Sequence, residues 1–200
     1  MVERQLRRRG ISDERVLRAM LEVPRELFVP EDLRRRAYRD GALRIGKGQT
    51  ISQPWIVACM AQLLELRGDE TVLEVGTGSG YGAAVLSRLC AEVVTIERFE
   101  SLAAGARAAI AELGYDNVEV RVGDGARGAP DRALFGGISV TATAIGEPPA
   151  ALFEQLAPGG ALVCPVARGR REHLIRFRDG EAEAVASVRF VPLVSGEPGE

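Results

Sequence analysis

Residues Glu74-Val75-Gly76-Thr77-Gly78-Ser79-Gly80-Tyr81 place three glycines at alternate positions between a β-branched run and a helix-forming stretch. Glycines there let the backbone turn tightly and let a ligand approach it closely. In an open parallel sheet such a turn stands at the carboxyl end of the first strand, where ligands bind. Glu97 ends the next apolar run about 20 residues on, the place of an acid that hydrogen-bonds two ribose hydroxyls. Asp124, in Gly123-Asp124-Gly125, ends the third run, where a carboxylate can accept from an adenine amino group. Either acid alone says little; the ordered set describes a nucleoside site. A dinucleotide fits less well. If Gly76 is the first glycine after the strand, the position that should be Gly or Ala is Tyr81, which disfavours close approach of a pyrophosphate. A phosphate-free nucleoside such as S-adenosylmethionine needs no such anion site.

Other chemistries find little support. Cys59, Cys90 and Cys164 stand apart in apolar surroundings and read as reduced core thiols. His173, the single histidine, has no zinc spacing and reads as an ordinary strand residue, so no metal site is expected. A net charge of −2 argues against a protein built to clamp a phosphate backbone. The clusters Arg7-Arg8-Arg9 and Arg34-Arg35-Arg36 could form a nucleic-acid patch, but charge runs on short helices are usually solvated faces. No run reaches the roughly 20 apolar residues of a membrane span, and the N-terminal ten residues are charged. A cytoplasmic monomer is expected, with no nucleic-acid or membrane partner.

The elements that must hold these residues follow from periodicity. Ser12 or Asp13 can cap a helix to about Glu22, with Val16, Leu17, Met20 and Leu21 at helical spacing. A short helix is expected from Pro30 to about Ala37, then a loose glycine-punctuated stretch, then a helix opened by Pro54 with Trp55, Ile56, Cys59, Met60, Leu63 and Leu64 facing the core. From residue 71 strands (71–75, 92–97, 118–122, 138–141, 161–166, 174–177, 185–191) alternate at first with helices (from 81, 101–113, 149–156). Such alternation predicts a mainly parallel sheet covered on both faces. A single domain over 1–200 is expected: an N-terminal helical and recognition segment (1–66), a cofactor-binding sheet (67–194) and a frayed tail (195–200).

Several segments together resemble one family, the protein-L-isoaspartate O-methyltransferases: Gly48-Gln49-Thr50-Ile51-Ser52-Gln53-Pro54, Leu73 to Tyr81, Gly114-Tyr115-Asp116-Asn117-Val118, Gly123-Asp124-Gly125, Leu156-Ala157-Pro158-Gly159-Gly160 and Phe190-Val191-Pro192-Leu193. The resemblance spans nearly the whole chain, and Thr50-Ile51-Ser52 is its most specific part. It implies a Rossmann-like class I methyltransferase fold using S-adenosylmethionine, with S-adenosylhomocysteine as product. It implies that Glu74, Gly76, Thr77, Gly78, Ser79, Glu97, Arg98, Asp124 and Gly125 bind the cofactor. It also implies that Ser52 meets the substrate carboxylate, with Gln49, Thr50, Ile51, Val191 and Pro192 lining the acceptor site. The substrate implied is an isoaspartyl residue of a damaged protein, whose methyl ester yields a succinimide that can reopen to normal aspartate.

From the residues alone, Ser52 could equally cap the helix that Pro54 opens. Where the family has Pro-Phe-Asp this chain has Leu134-Phe135-Gly136, and Ala129 and Arg132 replace a tryptophan and a histidine. If Gly136 is only a lost structural carboxylate, Asp there is tolerated and adds a hydrogen bond; if it shapes a specialised pocket, activity falls. Gly82 also replaces a larger side chain. These departures leave open an enzyme acting on an aspartate of one dedicated peptide, and a non-catalytic adenosyl-binding module remains the reading from another class.

Overall fold

A computed structural model describes residues 1–196 of the chain. Short π and 3-10 turns (Val2–Leu6, Arg7–Arg9) lead into α1 (Glu14–Glu22), capped by Asp13, whose carboxylate accepts from the Arg15 and Val16 amides. Val16, Leu17, Ala19 and Met20 are buried, whereas Leu21 faces solvent with 71% of its surface exposed. The expected helix after Pro30 is a 3-10 stretch, Glu31–Arg36. The glycine-punctuated stretch is not loose but a hairpin of β1 (Leu43–Gly46) and β2 (Gln49–Ile51). Lys47 and Gly48 both take positive φ at its turn, the geometry of a tight two-residue hairpin. Pro54 opens α2 (Pro54–Leu63) as expected.

The sheet follows. β3 (Thr71–Val75), α3 (Tyr81–Leu86), β4 (Glu92–Glu97), α4 (Glu100–Glu112) and β5 (Val118–Val122) form one half. β6 (Phe135–Val140), β7 (Ala144–Ile145), α5 (Ala150–Glu154) and the long β8 (Leu156–Arg168) form the other, followed by β9 (Arg171–Arg178) and β10 (Glu181–Ser187). The order is β10-β9-β8-β6-β3-β4-β5, with β7 beside β8; β9 and β10 run antiparallel and the other pairings are parallel. The last expected strand, 185–191, is displaced: β10 ends at Ser187, and the Val-Phe-Val residues beyond it leave the sheet edge.

The apolar runs of β3 and β4 divide between two cores because side chains alternate faces along a strand. Val72 and Val93 pack with the N-terminal helices, α2 and α3; Leu73 and Val94 pack with Phe135, Leu152 and Leu162 on the other face. With both faces covered, the free edge of functional interest is the row of strand carboxyl ends. There β3 has β4 on one side and β6 on the other, so connections depart in opposite directions and leave a crevice.

The segment 188–196 roofs that row. The Val188 amide donates to the Glu172 carbonyl and the Phe190 amide to the Glu172 carboxylate. Thr143 donates to Val191 and accepts from Leu193, Arg98 Nη1 reaches the Val194 carbonyl at 3.3 Å, and the Gly196 amide meets Asp124 Oδ2 at 2.8 Å. One strap thus runs from β9 to the end of β5. Ser195 and Gly196, assigned from sequence to a frayed tail, belong to it; the rest of that tail lies outside the described residues.

Candidate active site

The glycine turn is locked from beneath. After β3 the Gly76 and Thr77 amides donate to the Ile96 carbonyl, and the Gly80 amide closes back on Thr77. Gly76 has φ +96°, and a Cβ there would come within 2.3 Å of Thr141 Oγ1, which itself bonds the Gly76 carbonyl at 2.7 Å. Only glycine combines that conformation with that approach. The Gly78 amide donates to Glu97 Oε2 at 2.8 Å, and Glu97 Oε1 accepts from the Arg98 and Phe99 amides at 2.9 and 3.1 Å. Three main-chain donors hold a carboxylate that still lines the crevice.

Above the turn lies a cavity of about 810 Å³, within the range of small-molecule sites. Its floor is residues 74–79, one wall the β2 loop (residues 48–53), another the strap (187–194). Ser52, Gln49, Thr50 and Ile51 therefore meet Glu74, Gly76, Thr77, Gly78 and Ser79 across one space, with Glu97, Arg98, Gly125, Val191 and Pro192 around it. Ser52 does not cap the helix: Gln53 occupies that place with no side-chain cap bond. The Ser52 hydroxyl bonds no other described residue and lines the cavity.

Two of the acids singled out from sequence meet the cavity differently. Asp124 is absent from the cavity lining; its Oδ1 accepts the Ala126 amide and its Oδ2 the Gly196 amide. Its immediate work is to hold the strap. Glu74 borders the cavity, but its Oε2 accepts from Thr95 Oγ1 at 2.7 Å, and Thr95 meets Thr77 at 2.6 Å. Burial pushes the Glu74 carboxyl up to about 8, with the Thr95 bond opposing and the Glu97 charge adding to the rise. The missing side chain of Gly82 makes room for it, since a Cβ there would lie 2.2 Å from Glu74 Oε1. Thr141 and Phe99 also line the cavity without having been singled out: the place of Thr141 depends on the pairing of β6 with β3, whereas Phe99 directly follows Glu97 and Arg98.

The departures near residue 130 lie elsewhere. None of residues 129–136 lines the cavity. Arg132 bridges Glu92 and Glu119, and Arg121 bridges Glu119 and Asp131, in a surface network. The ground for a specialised pocket in that segment is thereby removed. In the first arginine cluster Arg7 pairs with Glu3 and Glu14, and Arg9 pairs with Asp40 and lies over Trp55, whereas Arg34, Arg35 and Arg36 of the second are exposed.

The residues fit an adenosyl ligand: a carboxylate at the end of β4 suits a ribose diol, and a turn without Cβ atoms at 76 and 78 leaves its backbone open. Fold and site together define a class I S-adenosylmethionine-dependent methyltransferase. The protein-L-isoaspartate(D-aspartate) O-methyltransferase family model matches residues 1–198. The chain belongs to that family. It is 53% identical to the protein-L-isoaspartate O-methyltransferase of Pelotomaculum thermopropionicum, covering 100% of this chain and 88% of the relative, and 54% identical to that of Roseiflexus castenholzii over 94% and 88%. A solved protein-L-isoaspartate O-methyltransferase superposes with a TM-score of 0.84 at 30% identity, covering 100% of this chain and 67% of that one. A second structure, described as a putative family member from Plasmodium falciparum in complex with S-adenosyl-L-homocysteine, gives 0.83 at 26% identity, with 95% of each chain covered.

Proposed function

We propose that this chain starts the repair of isomerised aspartyl residues, transferring a methyl group from S-adenosylmethionine to the free carboxylate of L-isoaspartyl residues in damaged proteins and peptides. The observation that carries the reading is the single cavity shared by the glycine turn and the Ser52 loop. The bound cofactor supplies a methyl group on a sulfonium.

What the chain must add is modest and geometric. A carboxylate with an ordinary pKa near 4 is already ionised at neutral pH, so no general base is required. Ser52 donates a hydrogen bond that orients the acceptor, while Gln49, Thr50 and Ile51 on one wall and Val191 and Pro192 on the other receive the peptide around it. Glu97 holds the ribose, and the turn from Gly76 to Ser79, with Glu74, Arg98 and Gly125, shapes the rest of the cofactor space. An anion and a cation neutralise each other in the transfer, and a cavity that excludes water favours that loss of charge. We further propose a cytoplasmic monomer without nucleic-acid or membrane partners. Three buried, unpaired cysteines suit a reducing compartment, and no helix among the described residues is long and apolar enough to cross a membrane.

Labelled S-adenosylmethionine with matched isoaspartyl and aspartyl peptides tests the reading. Transfer to the isoaspartyl peptide should be at least about tenfold faster, roughly 1.4 kcal/mol in transition-state stabilisation. Ser52→Ala should slow it while leaving S-adenosylhomocysteine binding nearly intact. Equal rates on both peptides would overturn the assignment.

A further inference from the structure

Directly behind the acceptor loop lies a cation that the reaction as described leaves unused. Arg25 begins the turn Arg25–Phe28 and has 0% of its surface exposed. Its Nε donates to the Ala37 carbonyl at 2.8 Å and its Nη2 to the Ser52 carbonyl at 2.7 Å. Its Cζ stands 4.8 Å from the centroid of Tyr81, the first helical residue after the glycine turn. Nη1 is buried and meets no hydrogen-bond acceptor. The ionisable side chains acting on the guanidinium are the phenols of Tyr81 and Tyr38, and no carboxylate among the described residues pairs with it. Burying a charge without an opposite one is costly, and a fully enclosed arginine normally has a carboxylate partner.

We infer that Arg25 is the positioning residue for the acceptor: its fork fixes the Ser52 main chain against Tyr81, and its uncompensated charge draws the isoaspartyl carboxylate to the loop. The inference rests on Ser52 standing at the acceptor. Its two parts separate kinetically. The carboxylate loses its charge as the methyl arrives, so attraction to Arg25 is stronger in the bound substrate than in the transition state and acts on KM. The fork acts on kcat, because a misplaced Ser52 misorients the acceptor. Lysine would keep the charge but lose the planar pair of donors that reaches both carbonyls.

The test uses an isoaspartyl peptide and the same peptide with that carboxylate converted to a carboxamide, the latter followed as an inhibitor. The wild-type chain should hold the carboxylate form about tenfold more tightly than the amide. In Arg25→Gln the KM of the isoaspartyl peptide should rise about tenfold while inhibition by the amide changes less than about twofold, erasing the preference. In Arg25→Lys the preference should survive and kcat should fall at least about fivefold. S-adenosylhomocysteine affinity should hold in both. If Arg25→Gln weakens both peptides equally, or neither, the inference is overturned. Should Arg25→Gln not fold, Arg25→Lys decides: a lost preference or an unchanged kcat overturns it. Ser52→Ala, run alongside, tests the underlying reading separately: if it leaves transfer unchanged, Ser52 is not at the acceptor and the inference falls with it.

Discussion

Glu97 carries three main-chain amides on one carboxylate and still faces the cavity, so its removal should act twice. Glu97→Ala takes away the charged acceptor proposed for the ribose, about 1.5–3 kcal/mol of binding, and also unpins Gly78. Calorimetric titration with S-adenosylhomocysteine should show that loss, and an unchanged affinity in a folded variant would remove Glu97 from the site. Glu74 makes a different prediction. Its carboxyl titrates near 8 in the folded chain, against an ordinary value of 4.5, so between these the folded chain keeps a proton that the unfolded chain releases. That contribution to stability is full below pH 4.5 and is lost as pH rises through about 8. Glu74→Gln stays neutral throughout. Chemical denaturation from about pH 6 to pH 9 should therefore show the wild-type chain losing on the order of 2 kcal/mol more than the variant. Parallel pH curves would contradict the buried acid.

Among the elements, the entry to β6 gives the clearest departure from what the residues alone suggested. A Cβ at Gly136 would stand 2.5 Å from Glu70 Cγ, and Glu70 is not free to move. Although burial opposes it, the Arg67 and Gly68 amides hold the Glu70 carboxyl below its ordinary range. Gly136→Asp should thus destabilise the fold by about 1–3 kcal/mol, from overcrowding and a second negative charge, rather than restore a lost bond. Thermal melting checks this, and an equal or higher Tm would refute it; specific activity of the folded fraction should be unchanged, since residue 136 is outside the cavity. The contrast shows what was readable. The turn after β3 and the acid ending β4 were legible because strand, glycines and carboxylate follow one another in sequence. The β1–β2 hairpin was not, since strands of four and three residues are too short to display alternation. Residues 185–191 read as one strand because Val and Phe favour strands, yet the chain leaves the edge at Ser187, where the Val188 amide and the Glu172 carboxylate take it elsewhere. That departure is decided by a residue 18 positions from Phe190, which no local pattern contains.

At the scale of the whole molecule, the strap makes the cavity depend on residues across the sheet. Glu172 sits on β9, outside the cavity, and its carboxylate accepts from both Phe190 and Thr143. Glu172→Ala should loosen residues 188–194 and weaken S-adenosylhomocysteine binding about fivefold, by calorimetry, with little change in Tm; undiminished affinity would show the roof to be dispensable. Asp124, at the opposite end, is the second anchor, so Asp124→Ala should give a loss of the same kind even though its carboxylate is not on the lining. The strap follows every strand among the described residues, and this has a consequence for the order of events in the cell. As the polypeptide emerges from the ribosome, the sheet, the glycine turn and the Ser52 loop are all outside before residues 188–196 appear. The nascent chain can fold its core yet must wait for that segment to complete the cavity, so a ligand held there has most to stabilise only after the strap has emerged.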